Sequence, residues 1–194
     1  MKYAIQLSLL VLMAVNLGCG VQSIPQSKNE VEASMAEVTN QYKRRADLIP
    51  NLVNTVKGYA KHESETLEAV VQARANATST NIDISKLNAD QIKNFQAAQG
   101  SLTQALSKLM VVVEKYPDLK ADRNFRELQA QLEGTENRIT VARNRYIESI
   151  KTFNNLVTVP PQSWTNSLFY KHEKLPQWTV DASENVEKAP DVKF

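Results

Sequence analysis

Val31, Met35, Val38, Tyr42, Arg45, Ile49, Leu52, Val56 and Tyr59 recur at alternating steps of four and three, a stripe over about residues 28–58. That spacing puts them on one stripe of an amphipathic helix of roughly 30 residues, about 45 Å long. Leu67, Val70, Val71 and Arg74 give the inner side of a second helix over residues 62–78, and Thr78-Ser79-Thr80-Asn81 supplies the loop chemistry that stops it. Asn88 stands three residues before Gln91, a capping-box-like start. The third helix follows with Ile92, Phe95, Gln99, Leu102, Leu106, Leu109 and Val113, until Tyr116-Pro117-Asp118 turns the chain.

Asp122 is a suitable cap for a fourth helix, in which Phe125, Leu128, Leu132, Thr135, Ile139, Ala142, Tyr146, Ser149, Phe153 and Leu156 alternate steps of three and four. A period near 3.5 predicts helices crossing at a shallow angle, and Pro160-Pro161 ends the run. The expected fold is all-α: an antiparallel four-helix bundle with long first and fourth helices, then a nonhelical C-terminal tail. A two-chain coiled-coil rod is the architectural rival, but unequal helices joined by short turns favour the monomeric bundle.

Two positions break the pattern. Pro50 lies inside the first helix, where a proline removes a backbone hydrogen bond and costs about 3 kcal/mol or more. Arg45 lies on the apolar stripe, where an unpaired charge would cost several kcal/mol. If the first and fourth helices run antiparallel, Arg45, Asp47, Glu136 and Arg138 come to similar depth. They are the candidate ion-pair network, structural in role.

The 194 residues suit one domain, and a formal net charge of +2 with acids and bases interleaved gives nucleic-acid binding no support. Cys19, the single cysteine, follows Met1-Lys2 and an apolar run over residues 3–17. This run is shorter than the roughly 20 residues a spanning helix prefers. Residues 1–19 thus read as a lipoprotein-type signal peptide, with Cys19 as the lipidation site, or as an uncleaved signal anchor; a buried inert Cys19 is the third option. Both leading readings place the domain over residues 20–160 and the tail over 161–194 outside the cytoplasm, on the periplasmic side in a Gram-negative cell.

Catalytic chemistry is not proposed by any motif. His62-Glu63 and His172-Glu173 lack the Glu-x-x-His spacing of carboxylate-bridged metal bundles, so exposed histidines and no metal are expected. There is no Gly-x-Ser-x-Gly elbow, Cys-His pair or Gly-rich phosphate loop. The reading is non-enzymatic and without cofactor. The tail carries Trp164, Phe169, Tyr170 and Trp178, rings suited to a partner surface or a membrane interface, or to folding back over one end of the bundle.

Cys19-Gly20-Val21-Gln22-Ser23-Ile24, Gln41-Tyr42-Lys43-Arg44-Arg45-Ala46-Asp47-Leu48-Ile49-Pro50-Asn51-Leu52-Val53, Val56-Lys57-Gly58-Tyr59-Ala60-Lys61-His62-Glu63, Ala73-Arg74-Ala75, Tyr116-Pro117-Asp118-Leu119-Lys120, Thr135-Glu136-Asn137-Arg138-Ile139 and the closing Val192-Lys193-Phe194 together resemble the bacterial LemA family. The resemblance spans nearly the whole chain after Cys19, and it places Pro50 within the family's own pattern. It departs at Val21, where the family commonly has Tyr followed by Asn, and at Asn16-Leu17 before Gly18-Cys19. It implies a membrane-tethered, extracytoplasmic four-helix bundle with no established catalytic activity. It also implies envelope proteins as partners, membrane metalloproteases among them. The expected role is a noncatalytic envelope scaffold or adaptor, with a small-ligand receptor using an interhelical cavity near Pro50 as the alternative.

Overall fold

The computed structural model describes residues 22–80, 82–84 and 87–178, and these are all-helical, with no strand among them. In chain order the helices are α1 (Ser23–Tyr59), α2 (Ser64–Ser79), α3 (Ala89–Val113), α4 (Pro117–Ala121), α5 (Arg123–Thr158) and α6 (Gln162–Thr165), with a π-helical turn at Asn166–Tyr170. The leader and Cys19 lie outside the described residues, as does everything from 179 onward. No helix among the described residues is long and apolar enough to cross a membrane.

Local chemistry explains most boundaries. α1 begins five residues earlier than its stripe predicts, because Pro25 falls in the first turn, where no intrahelical partner awaits its missing N–H. Asn88 caps α3 by accepting from the Gln91 N–H at 2.8 Å, and Asp122 caps α5 by accepting from the Phe125 N–H at 2.9 Å. α4 was not expected: Pro117 at its start, with φ already set for a helix, opens one short turn after Tyr116.

The helices pair by their stripes. Ser34 Oγ lies 2.7 Å from Ser149 Oγ, Arg45 Nη1 3.2 Å from Glu136 Oε2, and Tyr59 Oη 3.0 Å from Asp122 Oδ2. One residue number rises as the other falls, so α1 and α5 run in opposite directions. α2 and α3 do the same: Tyr116 Oη donates to Glu63 at 3.0 Å, and Gln99 Nε2 to the Ala77 carbonyl at 3.2 Å.

The core is split in two. One cluster joins Val31, Met35, Ile92, Phe95, Tyr146, Ile150 and Phe153, and the other joins Ile49, Leu52, Val70, Leu102, Leu109 and Phe125. Burying such side chains stabilises by about 1.5–3 kcal/mol each. Because α2 is only 16 residues long, it covers the second cluster and leaves the first short of a helix. Trp178, Leu175, Ile82, Ile84 and Leu87 fill that place, with the Trp178 ring edge-on to Phe95 and Tyr146 at 6.4 and 6.0 Å.

The expectation of a nonhelical tail is therefore corrected for its first part. Pro160 and Pro161 do end α5, but residues 162–170 hold neither proline nor glycine, and helix restarts immediately. It stops at Lys171, which takes the left-handed conformation at φ 54° and donates its N–H to the Asn166 carbonyl at 2.7 Å.

α1 stays helical through Pro50. Having no N–H, Pro50 cannot serve the carbonyl of Ala46 one turn back, and Arg74 Nε from α2 donates to that oxygen at 2.7 Å.

Candidate functional site

Arg45 lies where the two halves of the core meet. Four-and-three spacing on α1 forces its side chain inward, and only 2% of it is exposed. Nη1 donates to Thr103 Oγ1 at 3.0 Å and to Glu136 Oε2 at 3.2 Å, and Nη2 to Gln99 Oε1 at 2.8 Å and the Gln99 carbonyl at 3.2 Å. The guanidinium also sits 4.9 Å from the centre of the Tyr42 ring, while Nε is buried without a hydrogen-bond partner. Side chains of α1, α3 and α5 thus converge on one charge, and Gln99 extends the chain of bonds to α2 through the Ala77 carbonyl.

Of the four residues expected in this network, the structure brings two together. Asp47 and Arg138 each lie two residues from a participant, about 200° around a helix of 3.6 residues per turn, and both are exposed. Gln99 and Thr103 take their places. Gln99 was visible as a polar residue on the apolar stripe of α3, the complement of Arg45 on α1; Thr103 gave no such signal. Glu136 itself is half open, at 52% side-chain exposure, so the carboxylate faces water while the arginine does not. This geometry suits a clamp that fixes helix register.

The four tail aromatics divide. Trp178 is buried and carries the Arg143 guanidinium 5.1 Å from its ring centre, so it has no surface to offer a partner. Tyr170 is half-buried and stacks on His172, its ring parallel within 5° at 5.8 Å. Trp164 and Phe169 are exposed, together with Leu168 and Val159; sequence reasoning did not single out Leu168.

Two asparagines hold this arrangement. Asn154 accepts from the Leu175 N–H at 2.8 Å and donates to the Leu175 carbonyl at 3.0 Å. Asn166 does the same with His172, at 3.0 and 2.9 Å. Each amide satisfies both backbone groups of one tail residue, so Asn154 pins the tail to α5 and Asn166 pins it to the turn.

The histidines differ as well. His62 is exposed as expected, but His172 is half-buried, its ring 5.9 Å from Phe153. Burial, and secondarily the charge of Lys28, holds its pKa below the usual 6.5. No cluster of His, Cys, Asp or Glu among the described residues has the makings of a metal site.

Two surface grooves lie against α1. One of about 690 Å³ follows the α1–α5 seam past Ser27, Ser34, Arg145 and Glu148. The other, about 850 Å³, lies between α1 and α2 at the opposite end, lined by Val53, Lys57, Leu67, Glu68 and Val71.

Two comparisons bear on this chain. The model of the LemA family matches residues 34–194. Protein LemA of Metamycoplasma hominis is 24% identical over 147 residues, covering 75% of this chain and 62% of the relative. The chain thus spans less than two thirds of the length of that curated relative.

Proposed function

The chain belongs to the LemA family, and from that premise we propose that it is a noncatalytic scaffold or adaptor of the bacterial envelope. In this reading the helices form an antiparallel four-helix bundle. The bundle is tethered through an acylated Cys19 or an uncleaved leader and stands outside the cytoplasm.

The observation that carries the reading is the continuity of α1. It starts four residues after Cys19 and runs 37 residues without a break, about 55 Å at 1.5 Å per residue. Its two irregular positions are both answered across helices: Arg45 by Gln99 of α3, and the Ala46 carbonyl that Pro50 cannot serve by Arg74 of α2. A tethered helix held this way is a stiff mount, and it puts the α1–α2 groove with half-exposed Val71 at the end remote from the tether.

In-cell photocrosslinking from position 71 tests the role. An adaptor gives one discrete envelope protein, captured from Val71 and lost when the leader is removed. Crosslinks scattered over many proteins, or none, would count against it. The receptor reading draws on the same groove, whose volume is in the range of small-ligand pockets and which begins three residues past Pro50. Thermal stabilisation of the purified chain by a protein-free envelope extract would favour that alternative.

A further inference from the structure

We propose that the turn after α5 is a second, noncovalent membrane contact: Val159, Trp164, Leu168 and Phe169 sit in the interfacial layer of the bilayer that holds the leader. This rests on the tethered reading above and adds to it an orientation for the domain.

The first ground is what the patch exposes. Trp164, Leu168 and Phe169 are 66%, 74% and 69% exposed and Val159 53%. Residues 158–170 contain no acid or base, although 23% of the chain is charged. Large apolar rings bared on an uncharged turn lose surface to water only if something covers them, and a tryptophan with its polar N–H suits the headgroup boundary.

The second ground is where the patch lies. α1 and α5 run in opposite directions, so the start of α1 meets the end of α5; Ile24 and Val157 share one core cluster. Cys19 precedes Ser23 by four residues, and the apolar run ends six residues before it. Those spacings reach at most about 14 and 21 Å of extended chain. Under either mode of tethering, the end of the domain bearing the patch is held against the bilayer.

The third ground is rigidity. Asn166 donates to the Val157 carbonyl of α5 at 3.4 Å and holds His172 against the turn, while Asn154 of α5 holds Leu175, so the patch is presented as a fixed surface rather than a loose arm. Exposed Lys171 and Lys174 border it, with Glu173 as the one acid between them, a balance that suits anionic headgroups.

The test uses the full chain purified from membranes and reconstituted into phosphatidylcholine–phosphatidylglycerol vesicles, with lipids brominated near the headgroup or deep in the tails. Trp178 is buried and Trp164 exposed, so the difference between the native chain and Trp164→Phe isolates the emission of Trp164. The expected result is co-flotation with the vesicles and loss of most Trp164 emission with the shallow quencher. Leu168→Ser with Phe169→Ser should abolish that quenching while co-flotation persists. Co-flotation with Trp164 unquenched overturns this inference and leaves the tether standing; the patch would then face a protein. Failure to co-float overturns the tether and this inference with it.

Discussion

Arg74 makes the bond that Pro50 cannot: Arg74 Nε donates at 2.7 Å to the Ala46 carbonyl, the oxygen left without a ladder partner by the proline. The apparent defect in α1 is thereby a docking point for α2, since a charge-assisted bond replaces the missing ladder bond.

Arg74→Met should destabilise the protein by about 2 kcal/mol, the usual worth of a hydrogen bond from a charged group. In a Pro50→Ala background the loss should shrink, because alanine restores the backbone N–H that serves the same carbonyl. Urea unfolding of the four proteins in a double-mutant cycle measures the difference. Additive effects would refute the coupling.

Around Arg45, the neutral partner should matter more than the charged one. Glu136→Gln removes a carboxylate that is half exposed and replaceable by water, and should cost about 1 kcal/mol or less. Gln99→Leu removes the 2.8 Å acceptor of a buried guanidinium and also bares the Ala77 carbonyl near the end of α2, and should cost about 3 kcal/mol. Unfolding midpoints in the reverse order would contradict this division.

The two tryptophans give a contrast in stability. Trp178→Ala empties a site between Phe95 and Tyr146 and should cost roughly 3–5 kcal/mol. Trp164→Ala removes an exposed ring and should stay within about 0.5 kcal/mol of the native chain in detergent. Chemical unfolding of both variants checks the pair.

His172 should make the tail sensitive to acid. Its pKa is held below 6.5 in the fold by burial and by Lys28, so well above pH 6.5 folded and unfolded chains are alike in having it neutral. As pH falls below 6.5 the unfolded chain binds the proton first, and stability declines until the folded-state pKa is passed. His172→Gln should flatten this part of the pH–stability curve below about pH 7. An unchanged slope would show that other groups cause it.

The position of most helices was legible because helix formation is written locally. Period, caps and prolines placed α1, α2, α3 and α5 within a few residues, and Asn88 and Asp122 cap as their spacing indicated. Arg45 and Pro50 were legible as anomalies, since each breaks a rule that holds for its neighbours.

Their partners were decided by the tertiary structure. Gln99 meets Arg45 across 54 residues and Arg74 meets Ala46 across 28, and periodicity within one helix says nothing about which face of another will oppose it. Asp47 and Arg138 show the limit: charges at the right depth point the wrong way when two residues' rotation separates them from the seam. The tail shows it again, because burial of Trp178 and exposure of Trp164 depend on the opening left by a short α2 and on pairing of Asn154 with Leu175. Sequence alone determined which residues needed partners, through period and polarity; packing in three dimensions selected the partners, because only there do distant surfaces compete for the same space.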